Sequence, residues 1–133
     1  AVSAAAAAAG SHTWSVLNVT ATSWPLGIAG TTNYMGWTLC PRNGCFYAIN
    51  GVHGSTTLWK LSPPPTGVDA LSGTWTITTE TLATPISNRS VIGANTGASF
   101  IYDKLGWDEA SGCFIWPEEY NMARVQAIRP AGV

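Results

Sequence analysis

Charge is what this sequence has least of: six basic and seven acidic residues in a chain of 133, where roughly a quarter of an average soluble protein is charged. The few cations are scattered, which leaves no electrostatic footprint for nucleic acid or for an anionic membrane surface. No apolar run approaches the ~20 residues that a membrane-spanning helix requires. Cysteine is scarce and odd in number at three, and with His12 and His53 it falls into no recognised zinc-ligand spacing. Neither a metal nor a cofactor is expected. The opening AVSAAAAAAG lacks the charged and apolar zones of a signal peptide, and residues 1–12 read as a low-complexity Ala-rich tail. No convincing amphipathic helical pattern occurs anywhere.

What is plentiful is Thr, Gly and Trp, arranged in a repeat. Tyr34, Gly44, Cys45 and Phe46 stand opposite Tyr102, Gly112, Cys113 and Phe114 at one constant separation. Leu58, Leu61 and Pro63 stand opposite Val125, Ile128 and Pro130 after the loss of a single residue. Upstream, Thr13-Trp14-Ser15-Val16 matches Thr74-Trp75-Thr76-Ile77. An internal period of this kind sets the architecture before any single element does.

Each copy reads as a set of short strands. Thr13–Val19 alternates, and 20–32 is a loop broken by Pro25, Gly27 and Gly30. Tyr34–Leu39 reverses at Pro41-Arg42-Asn43-Gly44 into Cys45–Ile49, and a second reversal leads to Thr56–Leu61. The Pro-rich SPPPTGVDALSG is an exposed loop, because consecutive prolines cannot continue a ladder. Gly73–Thr79 is a further strand, and a long loop from Glu80 precedes the second set at Phe100–Trp107, Cys113–Trp116 and Arg124–Ile128. Two readings stay open for the cysteines. Cys45 and Cys113 act as small buried hydrophobes, or Cys40 and Cys45 bridge across their four-residue turn.

At these residues the chain resembles a kelch-like β-propeller, the class that includes the central domain of galactose oxidase. Asn50-Gly51 stands where kelch repeats carry Gly-Gly, and the second copy has Pro117-Glu118 there. The resemblance implies an all-β fold of two four-stranded antiparallel propeller-type blades, part of a larger β-propeller ring. Residues 34–79 would be the complete blade, 98–130 three strands of the last blade, and 13–19 an outer strand completing that last blade. Since propeller rings have four to eight blades, the remainder would come from further copies of the chain or from a longer propeller chain.

The repeats also look like those of secreted bacterial proteins and phage structural proteins. The resemblance therefore implies a non-catalytic binding or structural module, extracellular or on a virion surface, that contacts carbohydrate or protein. The alternatives are a piece of a propeller-type carbohydrate-active enzyme or oxidase, and an intracellular kelch adaptor. Candidate ligand-binding residues lie in the loops that differ between copies: Trp24, His53, Asn88, Arg89, Asn95, Glu118, Glu119 and Tyr120. Arg89 offers a planar donor fork, Trp24 and Tyr120 offer stacking faces, and Glu118 and Glu119 accept hydroxyl hydrogen bonds. Glu118-Glu119 with Asp103, Asp108 and Glu109 nearby could pair as general acid and base, but Asp108 and Glu109 occupy a hairpin turn and read as solvated turn carboxylates. Trp14, Trp37, Trp59, Trp75 and Trp116 read as packing residues, and Asn18 and Asn88 fit the N-glycosylation triplet.

Overall fold

The computed structural model describes residues 16–23, 36–49, 54–86, 105–117 and 125–133, and no helix occurs among them. The strands are β1 (Asn18–Ala21), β2 (Gly36–Cys40), β3 (Cys45–Ile49), β4 (Thr57–Ser62), β5 (Thr74–Thr81), β6 (Gly106–Asp108), β7 (Cys113–Pro117) and β8 (Val125–Ile128). They make a five-stranded sheet in the order β1-β5-β4-β3-β2 and a three-stranded sheet in the order β6-β7-β8.

The repeat is legible in the pairing registers. Leu39 pairs with Phe46 and Phe46 with Leu61, as Trp107 pairs with Phe114 and Phe114 with Ile128. Both hairpins close through the same four-residue turn. The N–H of Gly44 donates to the Cys40 carbonyl and that of Gly112 to the Asp108 carbonyl, each at 2.9 Å. Both glycines have positive φ, 69° and 64°, a conformation that a Cβ disfavours.

The expected four-strand meander is present as β2-β3-β4-β5, antiparallel throughout. The second copy contributes three strands. Neither sheet closes on itself, so the architecture is two open sheets, five strands and three. The N-terminal strand departs from expectation. Asn18–Ala21 lies parallel to β5, with Val19 opposite Trp75 and Ala21 opposite Ile77, rather than beside β8. The eight-residue β5 offers a long unpaired edge. Val19 and Ala21 also add apolar surface to the cluster of Ala48, Trp59 and Ile77 on that side of the sheet. Residues 13–15 of the expected strand lie outside the described residues.

Alternation assigns the two faces of the large sheet. Cys40, Cys45, Tyr47, Ile49 and Leu58 point to one side and pack with Leu105, Phe114, Trp116 and Ile128 of the smaller sheet in one buried cluster. Tyr47 and Phe114 meet ring to ring at 5.1 Å, and Trp107 meets Phe114 edge-on at 5.0 Å. Such pairs add about 0.5–1.5 kcal/mol beyond the area they bury. Where β2 approaches β6, the Thr38 hydroxyl donates to the Leu105 carbonyl. All three cysteines are free and buried. Cys40 and Cys45 face each other in the register without a bridge, so the small-hydrophobe reading holds.

Candidate functional site

The two equivalent turns, Pro41–Gly44 and Glu109–Gly112, sit side by side where the sheets join. Arg42 reaches from the first to the second. Its Nε donates to Glu109 Oε1 at 3.0 Å and its Nη2 to the Glu109 carbonyl at 2.5 Å. The guanidinium also lies over the Trp107 ring, 5.5 Å from its centroid. Trp107 Nε1 donates to Glu109 Oε2 at 2.6 Å, which closes a three-residue lock. The indole N–H, then the guanidinium, holds the Glu109 carboxyl below its ordinary value.

The remaining shifted carboxylates also serve turns. Asp108 is lowered by the hydroxyl and N–H of Ser111, whose N–H donates to Asp108 Oδ2 at 3.0 Å. Asp69 is lowered by the N–H groups of Ser72 and Leu71, both 3.0 Å from its Oδ1. In the core, burial pushes the Tyr47 phenol up, although its oxygen accepts from Asn43 Nδ2 at 3.1 Å.

A cleft of about 240 Å³ opens between residues 82–86 and the β7–β8 hairpin, lined by Leu82, Pro85, Ile86, Trp116, Gln126 and Arg129. Segment 82–86 is pinned to residues 54–56 by three backbone bonds: Leu82 N–H to Thr56, Ile86 N–H to Ser55 and Gly54 N–H to Ile86. Arg129 Nη2 is engaged with the Ser111 carbonyl at 2.8 Å. Trp116 is core rather than a stacking platform, 2% exposed, and its indole N–H has no acceptor.

Every ligand-binding residue named from the sequence, namely Trp24, His53, Asn88, Arg89, Asn95, Glu118, Glu119 and Tyr120, lies outside the described residues. Sequence reasoning passed over Arg42, Trp107 and Glu109 as a unit. The available signal was a substitution pattern between copies, in which Leu39, Pro41 and Arg42 of the first stand at the places of Trp107, Glu109 and Ala110 of the second. Among the described residues, no three His, Cys, Asp or Glu side chains are grouped to hold a metal ion. No protein-family model, curated protein or solved structure matches the chain.

Proposed function

We propose that the chain is a non-catalytic structural and binding module of a β-propeller-type ring, extracellular or on a virion surface, that meets carbohydrate or protein through its loop face. The ring is completed by further copies or by a longer propeller chain. One observation carries this reading. The Cys45-Tyr47-Ile49 face of the first copy packs on the Phe114-Trp116 face of the second, which corresponds to the opposite side of the first copy's own sheet. Blades that follow one another around an axis meet in this front-to-back fashion. Asp69, Asp108 and Glu109 are lowered by turn and lock donors, which unsuits these three for a general-acid role. A general acid working near neutral pH needs the opposite shift.

The binding part is tested on a glycan array and in a partner pull-down. The wild-type chain is expected to retain a ligand. An Arg89→Ala/Tyr120→Ala double variant that keeps its circular dichroism spectrum is expected to lose it, and changes in the Pro41–Gly44 turn should not matter. Loss on altering that turn, with binding intact in the double variant, would move the site to the opposite end of the sheets.

A further inference from the structure

The joint between the two copies has an unmet counterpart at each end of the molecule. Tyr47 and Leu58 of the first copy are buried in the joint, whereas their equivalents in the second copy are open; Cys113, the equivalent of Cys45, is buried as Cys45 is. Tyr47 is 0% exposed and its equivalent Ile115 38%, while Leu58 is 1% exposed and its equivalent Val125 63%. Ala127, beside Ile115 in the register, is exposed as well. The other side of the joint shows the converse at two of its positions, although Ala48, in the place of Trp116, is buried. Phe114 and Ile128 are buried against the first copy, but their equivalents Phe46 and Leu61 are only half-buried. Leu39, in the place of Trp107, is 44% exposed. Around it the outer face of the large sheet continues through Trp37 and Trp75.

The substitutions at the lock decide which partner fits. If the joint is repeated between the open ends, Ala110 arrives where Arg42 sits in the existing joint, and it meets Leu39 and Pro41 in place of Trp107 and Glu109. The cation, the carboxylate and the indole that serves both have all been exchanged for apolar side chains. A single exchange would leave an Arg or a Glu facing an apolar surface, which costs solvation without a partner. Lys60 is exchanged as well, although its partner lies in its own sheet. In the first copy it pairs with Glu80 at 3.5 Å, and its equivalent in the second copy is Ala127. At the lock, both halves of an apolar version of the joint are carried by this one chain, while Asp108, in the place of Cys40, keeps one carboxylate on the Ile115 side.

We infer that a second copy of this chain docks on the first head to tail, its Ile115-Val125-Ala127 face seated on the Leu39-Phe46-Leu61 face of its neighbour. The interface is heterologous, so each copy keeps one donor face and one acceptor face, and closure requires a ring. With two repeats per chain and rings of about four to eight blades, the ring holds about two to four copies. This inference rests on the front-to-back reading of the joint and not on the identity of any ligand.

Two variants separate the faces, Leu39→Glu on one and Ile115→Glu on the other. Both positions are partly exposed within the single chain, which leaves its own core intact. Light scattering coupled to size exclusion should give a multiple of the 14.0 kDa chain mass for the wild type. Each variant alone should run as a monomer, and Val68→Glu on the β4–β5 loop should run as the wild type. Mixing the two variants should produce a 1:1 heterodimer, because each retains the face that the other has lost. A wild-type monomer at tens of micromolar would overturn the inference. So would variants that still assemble, or a mixture that stays monomeric. Ligand binding by such a monomer would leave the proposed function standing while removing this inference.

Discussion

At the scale of single residues, the lock between Arg42, Trp107 and Glu109 makes the two turns interdependent although all three side chains reach solvent. A Cβ on Gly112 would come within 2.5 Å of Arg42 Nη1, whereas one on Gly44 would meet nothing within 4 Å. Both positions have positive φ, so Ala at either costs about 1–2 kcal/mol in backbone strain. Gly112→Ala is expected to lower the midpoint in a denaturant titration further than Gly44→Ala. In an Arg42→Ala background the two should become equal. The same lock predicts a pH dependence. Glu109 is lowered in the folded state from an ordinary 4.5, so its contribution is present above that value and lost as pH falls below it. Thermal melts from pH 6 downward should show wild-type stability declining through the acid range, and Glu109→Gln should flatten part of that decline. Added salt should weaken the effect, because the pair is exposed.

At the scale of elements, the face to which a strand position points decides its weight. Phe114 lies on β7, fully buried between Tyr47 and Trp107. Phe114→Ala removes a large ring from a site with little room to collapse, and about 3–5 kcal/mol of stability is expected to go with it. Leu71, in the exposed β4–β5 loop, is also a large apolar residue, but Leu71→Ala should stay within about 0.5 kcal/mol. Urea titrations of the two variants check the contrast. The β4–β5 loop itself is organised by Asp69, which accepts from Leu71 and Ser72, and by the Trp75 indole donating to the Ala70 carbonyl at 2.8 Å. Polar side chains here do in a loop what ladder bonds do in a strand.

At the scale of the whole molecule, the two sheets share one buried cluster and therefore should not melt separately. Tryptophan fluorescence and far-UV circular dichroism are expected to report coincident unfolding transitions, the signature of a single cooperative unit. Two separated transitions would show that the joint contributes little. The far-UV spectrum should be that of a β protein with helix well below a quarter, as strands account for all the regular structure among the described residues.

The sequence by itself determined the local order of this protein. The strand Cys45–Ile49 has the bounds that its alternation announced, and β4 and β5 shift by only a residue or two at their ends. The repeat fixed the matching registers, because turn length and alternation act within a few residues of one another. The cysteines, too, were readable as small core residues. Only the tertiary structure decided what lies far apart in the chain. Nothing local distinguishes the edge of β5 from that of β8 as a partner for Asn18–Ala21, and the choice follows from the cluster that Val19 and Ala21 join. Nor does any motif announce that Arg42 meets Glu109. Only when one face of the first copy is laid on the opposite face of the second do Leu39, Pro41 and Ala110 become the apolar counterparts of Trp107, Glu109 and Arg42, because complementarity between faces belongs to the packed molecule.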